Sequence, residues 1–145
     1  MKHLALLRGI NVSGHNMIKM DALKSMLEKI GFQNIETYIQ SGNVFLESED
    51  ENAQSVGFTI KQEIVKQLGF DVPTIVINKS DLEKCLTNNP FFNEAFIDGN
   101  RIYMKLETGA GNTKLTQKYI EKKLNVTATS RNWNTVNKLL EMFEE

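Results

Sequence analysis

The residues of this 145-residue chain that could do chemistry gather in three polar stretches. The first, Leu6–Asn16, reads LLRGINVSGHN: an apolar, strand-like run ends in Arg8, followed by Gly9, Asn11, Gly14 and His15, with Lys19 just before the next helical pattern. Arginine offers a forked, permanently charged donor suited to phosphate or carboxylate, and asparagine both donates and accepts. Glycines at 9 and 14 permit unusual φ and close approach of a ligand to the backbone. The linker Gly9–Lys19 exceeds the roughly 2–6 residues usual between a strand and a helix. Binding is a common reason for such a loop at a strand end, and a purely structural turn is the alternative.

The second stretch, Thr129–Val136, reads TSRNWNTV and places Arg131, Asn132, Trp133 and Asn134 between a short strand and a helix. Asn132 has an ordinary role as a helix N-cap, and Trp133 as a staple to the core. An arginine, an amide and an aromatic in succession equally suit a site for a charged, planar ligand. The third, Thr108–Leu115, reads TGAGNTKL. Its Gly109, Gly111 and Thr113 would expose backbone N–H groups at a helix N-terminus, with Lys114 adding charge, which makes a secondary anion site. The pattern is neither of the common nucleotide-binding glycine motifs, and a bare turn with a cap is the favoured account of it.

The catalytic inventory is thin. Two histidines and one cysteine, far apart, give no metal-ligand spacing, so neither metal nor cofactor is expected. Cys85 shares an apolar helix face with Leu82 and Leu86 and reads as core. His3 lies within the first strand, where a satisfied sheet histidine is expected. His15 sits in the glycine loop, and as an imidazole it is the first candidate acid–base group if the protein is an enzyme. Nothing pairs it with a nucleophile.

The elements that must position these groups follow from pattern. Lys2–Arg8 reads as a sheet-interior strand. Asp21–Ile30 is a helix with Leu23, Met26, Leu27 and Ile30 on one stripe, closed at Gly31. Asn34–Gln40 alternates as a strand, Ser41-Gly42 makes a two-residue hairpin turn, and Asn43–Glu47 returns. Glu51–Leu68 is a second helix, and Pro73 opens the strand Thr74–Ile77. The order is β-α-β-β-α-β, the ferredoxin-like pattern. Phe45 is the lone aromatic available for a nucleic-acid stacking platform on such a sheet, which speaks against that use. Beyond it, Ser80 with Glu83 forms a capping box, and Asp98-Gly99 turns a hairpin. A helix then runs to Leu124, Val126–Thr129 is a strand, and a final helix carries Val136, Leu139, Leu140 and Phe143. The fold class is therefore α+β, with a ferredoxin-like half at 1–78 and, packed on it, a reduced ferredoxin-like half at 79–145 that lacks its opening strand and helix.

Hydrophobic residues make up 41% of the chain and charged residues 24%, as in a soluble globular protein with a self-sufficient core. The formal net charge of −1 argues against general nucleic-acid binding through a basic surface. No apolar run approaches membrane length, and one cysteine precludes an internal disulfide, so a cytoplasmic setting is expected.

Three segments together, LLRGINVSGHNMIKM (6–20), TYIQSGNVFLE (37–47) and ATSRNWNTVNKLLEM (128–142), resemble an uncharacterised bacterial family, the domain of unknown function sixteen-ninety-seven. The resemblance implies two ferredoxin-like subdomains in tandem and carries no reaction, substrate or cofactor. Its motif positions fall on Arg8, Gly9, Asn11, Gly14, Met20, Gln40, Ser41, Gly42, Asn43 and Arg131 to Thr135. Between Phe96 and Ile97 typical members carry a further strand and helix. Their loss would leave a sheet edge unpaired and invite a homodimer or a rearrangement of the two halves. The functional expectation is a non-catalytic module that binds a small anionic or nucleotide-like ligand through Arg8, Asn11, Lys19, Gln40, Ser41, Asn43, Arg131, Asn132, Trp133 and Asn134. The alternatives are an interaction protein using the same residues as a polar tie between halves, and an enzyme of unidentified reaction.

Overall fold

The computed structural model of the protein describes residues 1–11, 14, 16–38, 42–87, 95–98, 101–104, 129 and 133–144. Their order is β1 (Lys2–Leu7), α1 (Met20–Lys29), β2 (Gln33–Tyr38), β3 (Asn43–Glu47), α2 (Ala53–Leu68), β4 (Thr74–Ile77), α3 (Lys79–Thr87), β5 (Ala95–Asp98), β6 (Arg101–Met104) and α4 (Trp133–Phe143). β1 to β4 form one sheet in the order β2-β3-β1-β4, every neighbour antiparallel. The expected β-α-β-β-α-β succession is thus present over residues 2–77. β5 and β6 pair separately. The expected helix ending at Leu124 lies outside the described residues, as do residues 126–128 of the expected strand Val126–Thr129.

β1 is the central strand, and its continuous apolar run lets it be buried on both faces. Ala5 and Leu7 point to one face, where Leu23, Met26 and Leu27 of α1 and Val56, Ile60 and Ile64 of α2 close a core with Val44 and Leu46 of β3. Leu4 and Leu6 point to the other face, with Phe45 of β3, Leu82 of α3, and Val136, Leu139, Met142 and Phe143 of α4. Phe45 meets Phe143 edge-on at 4.8 Å and 86°. The aromatic that a stacking platform would need is therefore part of the core.

Lys2 fixes the far end of α4. Its ammonium donates to the Met142 carbonyl at 2.9 Å and lies 5.1 Å from the centre of the Phe45 ring. A cation at a helix C-terminus also meets the negative end of the helix dipole.

Local chemistry shifted several boundaries. α2 begins after Asn52, whose side chain accepts from the Ser55 N–H at 3.0 Å, and ends at Gly69 with φ 79°. The capping box of α3 is formed by Asn78 and Asp81, each side chain accepting the other's backbone N–H, and not by Ser80 and Glu83. Asn78 supplies the better cap because it stands between the end of β4 at Ile77 and the start of α3 at Lys79. Tyr38 pairs with Asn43 in the β2–β3 register, and Ser41 of the expected Ser41-Gly42 turn lies outside the described residues. Asp98 pairs with Arg101, so it is the last strand residue of its hairpin and not part of the turn. β2 also carries a register break between Gln33 and Glu36, where Asn34 takes φ 50°.

Candidate functional site

The C-terminal end of β1 is where the first polar stretch meets the β2–β3 connection and the entry to β4. The Leu7 N–H donates to the Gly42 carbonyl at 2.8 Å, and the Arg8 N–H donates to the Pro73 carbonyl at 3.0 Å. β1 thereby delivers Arg8 between the β2–β3 connection on one side and the entry to β4 on the other. Gly42 has φ 89°, and a Cβ there would lie 2.6 Å from the Leu7 carbonyl oxygen and 2.9 Å from Leu7 Cβ. Only glycine satisfies both the conformation and the contact. The Arg8 side chain is half-buried.

The described residues at the two ends of the 9–18 loop are tied together. Asn11, at φ 56°, donates from Nδ2 to the Ile18 carbonyl at 3.0 Å and accepts the Ile18 N–H on Oδ1 at 2.8 Å. Its amide thus imitates a strand partner for Ile18. The Asn11 N–H donates to the Asn16 carbonyl at 3.2 Å, and Asn16 Nδ2 returns a bond to the Gly9 carbonyl at 3.3 Å. Ile10 and Ile18 are drawn into the first core. Gly9 and Gly14 take φ 74° and 76° with nothing within 4 Å of where a Cβ would stand, so the backbone there is open to approach. Lys19 is exposed at the N-cap position of α1, which has no side-chain cap.

Asn43 is fully buried, and its Nδ2 donates to the Tyr38 carbonyl at 3.3 Å. Asn134 is exposed on the first turn of α4, directly after Trp133. Gln40, Ser41, Arg131 and Asn132 lie outside the described residues, as do His15 and the secondary anion stretch with Gly109, Gly111, Thr113 and Lys114. Among the described candidates, Arg8 and Asn43 come together at one end of the sheet, while Asn11 and Asn43 hold backbone groups. Asn16 was not read from the sequence as a loop-forming residue. Its signal is an asparagine two residues after a glycine, able to take the left-handed conformation.

His3 is buried, with Nε2 at 3.0 Å from the Asp50 carbonyl and Nδ1 without a partner. It is therefore only half satisfied. The carbonyl can only accept, so Nε2 is the donor in this bond. Asp50 itself is held below the usual aspartate range by hydrogen bonds from the Ser55 side chain and the Asn52 N–H, with His3 adding a smaller attraction. Among the described residues no group of three histidine, cysteine or carboxylate side chains could hold a metal, and no helix is long and apolar enough to cross a membrane.

An α+β domain with a four-stranded antiparallel sheet and polar loops at one end is the class these features define. The family profile for a protein of unknown function, DUF1697, matches residues 1–132, and the chain belongs to that family. It is similar in structure to the conserved bacterial protein SP0830 from Streptococcus pneumoniae, with 33% identity and a TM-score of 0.55. That match covers 63% of this chain and 50% of the neighbour, so the aligned part spans half of the neighbour's length. No functionally curated protein matches the chain.

Proposed function

We propose that the protein is a non-catalytic module that binds a small anionic or nucleotide-like ligand at the C-terminal end of β1, with Arg8 and Arg131 meeting the charge. Asn134 and Trp133 would serve the planar, polar part. The observation that carries this reading is the seating of Arg8 between the Gly42 turn and Pro73, beside backbone that is left open at Gly9. The Arg8 backbone is fixed at the junction of two loops, which anchors the side chain that would meet an oxyanion. Lys19, exposed at the uncapped start of α1, adds a second cation at the other end of the loop.

The test is a thermal-shift panel of nucleotides, sugar phosphates and small carboxylates. A ligand at about a hundred times its dissociation constant stabilises the fold by roughly 2.7 kcal/mol, a shift of a few degrees at this size. The shift is expected to vanish in Arg8→Ala and in Arg131→Ala while both variants stay folded. No shift with any member of the panel refutes the reading.

A second reading is favoured by a specific observation. Asn11 and Asn43 both spend their amides on backbone groups, as a polar tie would. On that reading Asn11→Ala alone costs about 1–2 kcal/mol without any ligand, because the Ile18 groups lose their partner. The division into a ferredoxin-like unit at 1–78 and a shortened unit at 79–145 belongs to the same proposal. The strand order and the two crossover helices support the first part. The shared core of α3 and α4 with β1 and β3 supports the packing of the second on the first. A cytoplasmic setting accords with the single cysteine.

A further inference from the structure

The two edges of the four-stranded sheet are finished differently. β2 is guarded: Asn34 takes a left-handed conformation at a register break, donates its amide to the Glu47 carboxylate, and leaves Glu36 exposed beside it. Breaks and charges of this kind prevent edge pairing. β4 has none. It reads Thr74-Ile75-Val76-Ile77, its four residues are each half-buried, and no other strand among the described residues pairs with it on the side away from β1.

The hydrogen-bond direction of β4 is fixed by its neighbour. The Pro73 carbonyl accepts from Arg8, so Pro73 faces β1, and by alternation Ile75 and Ile77 do as well. Thr74 and Val76 therefore turn their N–H and C=O groups outward, and the missing N–H of Pro73 is no obstacle on that side.

The helix above this edge continues the same flank. Gly57 of α2 sits over β4, its would-be Cβ 3.3 Å from Val76 Cγ2 and 3.8 Å from the Thr74 carbonyl oxygen. Lys61 reaches Asp71 just before β4, at 3.5 Å. Phe58, Lys61, Val65 and Leu68 follow at three- and four-residue steps, so they share one side of the helix. Phe58 is 62% exposed, Val65 44% and Leu68 38%.

We propose that this flank is a two-fold self-association surface, in which β4 pairs antiparallel with β4 of a second copy and the exposed stripe of α2 packs against its equivalent. The register follows from the outward groups. Hydrogen-bonded pairs need outward residues on both strands, which is met when Thr74 lies opposite Val76 of the second copy and the axis passes through Ile75. That register sets Asp71 against Lys79 of the second copy on both sides of the axis, so opposite charges meet. A parallel arrangement would set each residue against itself. Both side chains are exposed, at 62% and 44%, and hold only surface ion pairs in the single chain. With the axis normal to the sheet, both α2 helices stand on the same side of the joined sheet, bringing Phe58, Val65 and Leu68 towards their counterparts.

The test is sedimentation velocity of the full chain over a wide concentration range, with thermal unfolding as the check on folding. The chain is expected to dimerise, and Val65→Glu to remove the dimer while leaving the fold intact, since Val65 is exposed. Asp71→Lys is expected to weaken the dimer about tenfold, two surface attractions becoming repulsions, and adding Lys79→Glu to it to restore the affinity. Arg8→Ala is expected to leave the dimer unchanged, so this result is separate from any ligand result. A monomer at every concentration overturns the proposal. So does a dimer that Val65→Glu and Asp71→Lys both leave unaffected.

Discussion

The two faces of the four-stranded sheet are closed in different ways. The first is covered by α1 and α2, each a crossover between strands of the same sheet, so the core of Ala5, Leu7, Leu27 and Ile60 is assembled from residues close in sequence. The second is covered by α3 and by α4, and α4 arrives from the far end of the chain to sit on Leu4, Leu6 and Phe45. The first face needs only loop closures of modest length. The second requires the chain ends to meet, a costlier closure that Lys2 and Phe143 offset by direct contact at the helix terminus. The difference teaches that the C-terminal helix completes the N-terminal sheet, and that the two halves share one structural task.

The largest expected effect tests this directly. Phe45→Ala removes a fully buried ring beneath Phe143 and is expected to cost about 3–5 kcal/mol in urea unfolding. If the two faces unfold as one unit, circular dichroism and tryptophan fluorescence will give a single coincident transition in this variant. Separate transitions would break the comparison by showing that the second face opens on its own.

Next in size is Gly42→Ala, expected to cost about 2 kcal/mol or more, because a left-handed alanine must also displace the Leu7 backbone. Gly14→Ala is the control. It meets no neighbour and carries only the conformational cost, about 1 kcal/mol. Equal losses at the two sites would show that the contact of the β2–β3 connection with β1 does not contribute.

Lys2→Met keeps the aliphatic stem and removes the bond to the Met142 carbonyl together with the cation over Phe45. It is expected to cost about 1 kcal/mol and to leave Leu27→Ala equally damaging in either background. A non-additive result would couple the two faces through the sheet.

The smallest effect is a pH dependence on the α1/α2 face. The Asp50 carboxyl has a folded pKa below its unfolded value, so its contribution is present above about pH 4 and is lost as the pH falls through the folded pKa. Asp50→Asn is expected to be less stable than the parent at neutral pH, with the difference closing in acid. A difference that grows as the pH falls would reverse the sign and refute the assignment.

The order of elements over the first 77 residues was legible because each carries its own period and its own stop: Gly31 and Gly69 after helices, Pro73 before a strand. The caps were less legible. Asn78 and Ser80 both precede an acidic residue at the right spacing, and only the place where β4 ends chose between them. The candidate site divides similarly. Arg8 was recognisable from residue type and position at a strand end. That Asn11 would bind Ile18, and Asn43 would be buried against Tyr38, depends on where the folded loop brings those backbone groups.

By itself, then, the amino-acid sequence determined the local alternation of strands and helices, the apolar continuity of β1 and the glycine positions where left-handed backbone is needed. Those are properties of a residue and its near neighbours. Tertiary structure alone decided that α4 covers the second face, that Gly42 touches Leu7, and that β4 has no further strand beside it among the described residues. Each of these pairs groups far apart in the chain, and packing rather than local preference selects the partner.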